Sequence, residues 1–253
     1  MVHQKTRLVD AALDFIPSVD SIFSETAESL DSRYLLDKKI IEDNFWQILQ
    51  TFEHEAYERY LDYEQQALEK LKRDCVNFLP TDINLIQALD AGFPLALEFE
   101  HRAAQSRKAR AGSSFERAVP FLLEKIDIIC EKPLKEDKNR FKKIDFIIPS
   151  VSVAKTHPEK AIFLSIKRTI RERWRQVSIE KNMGYVYLVS MSDEHDLSEA
   201  KIGDLENDHI ILYVPDEIKL LEKYRQFNNL RKISDLPKDL AGFRSVKKQT
   251  VLI

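Results

Sequence analysis

The chain has 253 residues and a formal net charge of −3, with 43% hydrophobic and 32% charged residues. This is the profile of a soluble globular protein long enough for one large domain, or one domain plus an accessory. Its 5 glycines form neither a GxGxxG nor a GxxxxGK(S/T) loop, which argues against a glycine-rich nucleotide site. No stretch approaches about 18 apolar residues, and the start MVHQKTRLVDAALDF lacks an apolar signal core; the expectation is a cytoplasmic protein that does not enter a membrane.

In chain order, residues 1 to about 95 read as helical. Phe45, Ile48, Leu49, Phe52, Ala56 and Tyr60 recur at three- and four-residue spacing, and no Gly or Pro interrupts the run before Pro80. The charges there are mixed, as expected of a scaffold or dimerisation layer. The aromatic residues of this run are expected in a core or helix interface. A second helix is expected from Asp82 to about Ala91, stopped by Gly92 and Pro94. Beyond about residue 96 the character changes, with Arg102, Arg107, Lys108, Arg110 and Arg117 close together. A further helix is predicted after Gly112, capped by Ser113 or Ser114, with an apolar face of Phe115, Val119, Leu122, Leu123 and Ile126.

Four strand-like runs follow: FKKIDFIIPS, KAIFLSIK, GYVYLVS and HIILYVP. The last three are almost continuously apolar, the sign of a sheet covered on both faces. A helix is predicted between the second and third, starting near Thr169, and another over 216–232. The expectation is an α/β fold, a central mixed sheet flanked by helices, with a helical N-terminal region at 1–95 and the catalytic domain at 96–253.

Cys75 and Cys130 lack zinc-ligand spacing and read as thiols of a reducing compartment. The six histidines are scattered without HxxxH or HNH spacing, against a histidine-based nuclease or a zinc site. The carboxylates are more informative. Asp145 opens the apolar run FIIP, Lys167 closes AIFLSI, Glu116 lies in the first turn of a predicted helix, and Glu180 lies on the helix after Lys167. An acid on one strand and a lysine ending the next can meet at one edge of a sheet. Three carboxylates and a lysine form a set suited to phosphodiester hydrolysis. Hard carboxylate oxygens hold Mg²⁺ through few protein ligands, and a lysine stabilises charge developing on phosphorus. Taken singly, each has an ordinary structural explanation.

Residues 166–176, IKRTIRERWRQ, carry five basic residues and one acid in an acidic chain. A solvated helix face accommodates such a run; so does a face turned to a polyanion.

The pattern E…KxDFxxPS…SxKRTxRERWRQ…E resembles type II restriction endonucleases of the PD-(D/E)xK superfamily. It is most similar to the branch that includes the EcoRII C-terminal domain and enzymes reading CCGG, CCNGG or CCWGG. The resemblance covers residues 100 to 215. It implies that Asp145 binds metal and that Lys167 is the catalytic lysine. Glu180 would be the acid displaced from the strand to the following helix, since Ser165 occupies the usual (D/E)xK position. RAGSSFE, ending at Glu116, looks like the family's RAG-x-x-x-E helix start, making Glu116 an accessory acid near the metal. Ile144 stands where the superfamily has proline.

The resemblance also assigns the basic run. Arg171 and Arg173 would each donate two hydrogen bonds to guanine, and Glu172 would accept from cytosine amino groups. Gln105 looks like the family's minor-groove glutamine. Arg107, Lys108, Arg110 and Arg168 would contact phosphates. Trp174 reads as core packing. Some relatives extrude a base and stack it on an aromatic side chain; Trp46 is a candidate for that role.

The expected activity is Mg²⁺-dependent cleavage of double-stranded DNA by a homodimer at a palindrome with a CC/GG core, with a cognate DNA methyltransferase as genetic companion. Two other readings remain at this level: a structure-selective PD-(D/E)xK repair or junction nuclease, and a DNA-binding protein without catalysis.

Overall fold

The computed structural model describes residues 2–35, 37–80, 82–141, 144–170 and 184–244. The chain divides into two compact units, Met1–Ser29 with Phe52–Ser114, and Leu30–Thr51 with Phe115–Ile253.

The first unit is helical. It holds α1 (Val2–Leu13), most of α2 (Val19–Tyr34), and most of the long helices α4 (Phe45–Phe78) and α5 (Leu85–Lys125). Val9, Ala12 and Ile22 are buried, as are Phe52, Tyr60, Ala67, Leu95, Phe99 and Ala103. Phe23 and Phe52 pack with ring centroids 4.8 Å apart. The expected break near residue 92 does not occur, and no new helix starts at Gly112. The helix α5 runs through Gly92, Pro94 and Gly112 because Leu95, Phe99 and Ala103 bury one of its faces. Tertiary packing outweighs the local preference of a single Pro and two Gly.

The second unit is α/β. Its short helix α3 (Lys38–Asp43) is capped by Asp37, whose side chain accepts from the Lys39 amide. A five-stranded sheet follows in the order β1 (Phe146–Ile148), β2 (Ile162–Lys167), β3 (Tyr185–Ser190), β4 (Ile210–Val214), β5 (Leu230–Lys232). The pair β1–β2 is antiparallel, and the others are parallel. The strand-like runs of the sequence thus become β1 to β4. The fifth strand falls where a helix was expected over 216–232. There α8 (Asp216–Lys219) lasts a single turn, and Leu230 then pairs with Leu212 of β4. The helix expected from near Thr169 falls on 171–183, outside the described residues.

Helices α6 (Val151–Thr156) and α7 (Glu199–Asn207) are capped by Ser150 and Ser198. Ile202 and Leu205 of α7 join Leu188, Ile210 and Leu212 in one apolar core. The short helix α9 (Leu236–Asp239) brings Asp239 to the sheet. Asp239 accepts from the Tyr213 hydroxyl at 2.7 Å and pairs with Arg231 at 2.6 Å. A Cβ at Gly184 would collide with the carbonyl oxygens of Pro158 and Ala161, so only glycine allows the chain to enter β3 by this path.

Candidate active site

Register assembles the site. Phe146 pairs with Leu164, and the Asp145 amide donates to the Leu164 carbonyl at 3.0 Å. This ladder sets Asp145 opposite Ser165. Side chains alternate across a strand, so Ser165 and Lys167 share one face of β2. Asp145, Ser165 and Lys167 therefore converge on that face, although Asp145 and Lys167 are 22 residues apart.

The Asp145 carboxylate is held tightly. Its Oδ2 accepts from the Ile166 amide at 2.7 Å, from Lys167 Nζ at 2.8 Å and from Ser165 Oγ at 3.2 Å. These three hydrogen bonds all fall on Oδ2. Lys167 Nζ also reaches Glu116 Oε1, in the last part of α5, at 3.3 Å. The Lys167 and Asp145 side chains are 22% and 23% exposed, and that of Glu116 is 44% exposed. The ammonium is thus partly withdrawn from water between two carboxylates, one anchored and one at the solvent edge.

Three of the four residues expected to do the chemistry, Glu116, Asp145 and Lys167, are therefore in hydrogen-bond contact. The fourth, Glu180, lies outside the described residues. Among the described residues no group of three or more His, Cys, Asp or Glu side chains is placed to hold a metal ion. Two carboxylates are present. Hard oxygen donors in small number, with room for water, suit Mg²⁺ better than zinc or copper, which favour histidine and cysteine.

The expected DNA-contact residues differ in how they are held. Gln105 is exposed, its amide 3.3 Å from His101 Nε2. Lys108 and Arg168 are exposed. Arg107 is paired with Glu64 and, at 2.5 Å, with Glu100. Arg110 donates to the Pro17 carbonyl at 2.7 Å and to Ser106 Oγ at 3.0 Å, and its guanidinium lies 5.2 Å from the Tyr60 ring centroid. Arg171, Glu172 and Arg173 lie outside the described residues, as does Trp174. Trp46 is 3% exposed and its indole N–H donates to Glu217 at 3.0 Å; it is a core residue in this structure.

Sequence reasoning passed over the buried serines. Ser165 occupies the position where the family pattern has an acid, yet its hydroxyl supports Asp145. Ser190 and Ser192 are also fully buried. Serines within or just beyond an apolar run were the available signal. Cys130 is buried and its thiol is pushed well above the ordinary range, chiefly by loss of water and secondarily by Glu124. No described helix is long and apolar enough to cross a membrane.

The family described as EcoRII C terminal matches residues 81–235. The type II restriction enzyme SsoII of Shigella sonnei is 26% identical over 209 residues, covering 76% of this chain and 63% of SsoII. The match thus spans less than two thirds of that curated relative. Among solved structures, metal-depleted Ecl18kI in complex with uncleaved, modified DNA superposes with a TM-score of 0.76 at 19% identity, covering 95% of this chain and 83% of that one. The restriction endonuclease PspGI–substrate DNA complex gives 0.68 at 24% identity, covering 90% and 93%. These likenesses bear out the expected restriction-endonuclease-like fold.

Proposed function

The chain belongs to the EcoRII C-terminal family, and from that premise we propose that it is a type II restriction endonuclease, a site-specific deoxyribonuclease. In this reading it cleaves double-stranded DNA with Mg²⁺ at a palindrome with a CC/GG core, of CCGG, CCNGG or CCWGG type. It acts as a homodimer, because two copies of one reading segment match a two-fold site. A cognate methyltransferase is its genetic companion.

One observation carries the reading: Lys167 Nζ lies between Asp145 Oδ2 and Glu116 Oε1. The family membership and the DNA named in the complexes of Ecl18kI and PspGI support it. Asp145, Glu116 and Glu180 are the residues that would hold Mg²⁺, which when bound polarises the phosphate and acidifies a water molecule. The chain's own groups do the rest. The Ile166 amide and Ser165 hydroxyl fix the Asp145 carboxylate, so little rearrangement is required when substrate arrives. Lys167 presents a fixed positive charge to a phosphate oxygen as negative charge builds there. Arg171, Glu172 and Arg173 select the duplex, with Gln105 in the minor groove and Arg107, Lys108, Arg110 and Arg168 on the backbone.

The test is plasmid digestion with Mg²⁺, with a chelated control, followed by sequencing of the ends. Discrete bands whose ends share a CC/GG core support the reading. A smear, or cutting only at junctions and flaps, points to a structure-selective nuclease. Retention of DNA without cleavage points to a non-catalytic binder.

A further inference from the structure

Beyond Lys167 the chain leaves β2, and two buried serines hold it there. Ser190 ends β3 and pairs in register with Lys167. Ser190 and Ser192 both have no exposed surface. The Ile170 amide donates to Ser192 Oγ at 3.0 Å, the two serine hydroxyl oxygens are 2.8 Å apart, and Ser190 Oγ donates to the Arg168 carbonyl at 3.5 Å. The Ser192 amide adds a bond to Ser190 Oγ at 3.1 Å.

Donor arithmetic fixes the direction of this chain. An amide N–H only donates and a carbonyl only accepts, and each hydroxyl has a single proton. With Ser190 giving its proton to Arg168, Ser192 must give its own to Ser190. The order is then Ile170 N–H to Ser192 O–H to Ser190 O–H to Arg168 C=O, a closed loop around residues 168–170. Such aligned bonds reinforce one another in a low-dielectric interior. The Ile170 side chain is 1% exposed within the apolar core, so this residue is fixed at both backbone and side chain.

Lys167 precedes the loop, and Arg171, the first of the proposed base-reading residues, is the next residue after Ile170. We propose that Ser190 and Ser192 are positioning residues that set the path of the chain from the catalytic lysine into the reading segment, so that reading and cutting share one anchor. The proposal rests on the endonuclease reading above. The β2–β3 ladder is a backbone pairing, in which Ser190 takes part through its main chain opposite Lys167 and not through its hydroxyl. Among the described residues, the hydroxyls of Ser190 and Ser192 bond each other, the Ser192 amide and the backbone of residues 168 and 170.

The test uses the full chain with Ser192→Ala and Ser190→Ala. Three quantities are measured: amide exchange at Ile170 against Leu188, the affinity ratio for a CC/GG-core duplex over a scrambled duplex, and single-turnover cleavage with Mg²⁺. In Ser192→Ala the Ile170 amide loses its buried acceptor. Its exchange is expected to rise about tenfold or more while Leu188 is unchanged, and the affinity ratio is expected to fall about tenfold, the scale of one buried hydrogen bond. Affinity for the scrambled duplex stays at the wild-type value. Ser190→Ala shifts the same readouts less, and the double variant is no worse than Ser192→Ala because the serines act as one chain. A Ser192→Ala protein with faster Ile170 exchange but a wild-type affinity ratio and cleavage rate overturns the proposal. Should Ser192→Ala not fold, Ser190→Ala decides on the same terms. If the wild type fails to distinguish the duplexes, the endonuclease reading falls and takes the proposal with it. If the wild type discriminates and both variants do so equally, only the role of the serines falls.

Discussion

Lys167 Nζ lies 2.8 Å from Asp145 Oδ2, and the same oxygen accepts from the Ile166 amide at 2.7 Å. The carboxylate is therefore both a charge partner and a structural acceptor, and two substitutions separate these roles. Asp145→Asn keeps a carbonyl oxygen for the Ile166 amide but removes the charge. It is expected to fold with near wild-type stability while cleavage falls by about 10²–10³-fold, the scale of losing one preorganised electrostatic group. Asp145→Ala removes the acceptor as well and should be less stable by about 1–3 kcal/mol, because a buried N–H is orphaned. Thermal melts and cleavage rates on both variants check this. Wild-type cleavage by either one removes Asp145 from the chemistry.

Glu116 meets the same lysine from α5 but is 44% exposed at its side chain. An acid at the solvent edge exchanges its interactions with water more easily. Glu116→Ala is expected to cleave more slowly than wild type but faster than Asp145→Asn, with sequence-specific binding in Ca²⁺ retained. Glu180→Ala is expected to be as inactive as Asp145→Asn. A Glu180→Ala protein cleaving at the wild-type rate would show that the displaced acid lies elsewhere.

The pair Asp145–Lys167 was legible in sequence because each sits at the end of an apolar run, and neighbouring runs of that length pair. Strands β2 to β4 were legible for the same reason: almost every residue is apolar, as both faces are covered. β5 was not. Its three residues, Leu-Arg-Lys, carry no pattern, and only pairing with β4 makes them a strand. The length of α5 was hidden by Gly92, Pro94 and Gly112, whose local preference yields to burial of Leu95, Phe99 and Phe115. Glu116 joined the other two in sequence as an acid on a neighbouring predicted helix, and the resemblance added its accessory role; its actual approach, from the last part of α5, depends on where that helix packs. The role of Ser165 depends on register, which no single-strand pattern encodes.

Burial holds the Cys130 thiol neutral, with its pKa above the ordinary range. The sign follows from proton counting. In the unfolded chain a thiol ionises near about pH 8.5, whereas in the fold it keeps its proton well above that. The contribution is fully present below about pH 8.5 and is lost as pH rises, at up to about 1.4 kcal/mol per pH unit. Denaturant melts at pH 8 and 9.5 should show wild type losing more stability than Cys130→Ala over this interval. Equal losses would mean that Cys130 is ionised or exposed in the folded protein.

Binding to duplex DNA is expected to weaken steeply with salt, with a slope of about −0.9 per phosphate neutralised. Lys108 is exposed and Arg110 is tied to Pro17, Ser106 and Tyr60. Lys108→Ala should therefore reduce the slope by about one without changing the melting temperature. Arg110→Ala should lower the melting temperature as well, because its guanidinium also packs and hydrogen-bonds within the helical unit. An affinity flat between low and moderate salt would contradict a phosphate-binding surface.

The reading segment gives the sharpest contrast. Guanine O6 and N7 carry sequence information and phosphates carry none. Arg173→Ala should therefore lose about 1–3 kcal/mol of discrimination for each base pair it reads, counted twice in a symmetric dimer. Lys108→Ala should instead lower affinity for every sequence alike. Competition between a CC/GG-core duplex and a scrambled duplex measures both. Exposed Lys108 makes Lys108→Ala the proper control, since Arg107 and Arg110 are engaged with Glu64, Glu100 and Pro17 and their removal would perturb the fold. If Arg173→Ala kept its full specificity ratio, or Lys108→Ala lost it selectively, Arg171, Glu172 and Arg173 would not be the readers. The acid–lysine site would then belong to a nuclease that selects DNA by shape.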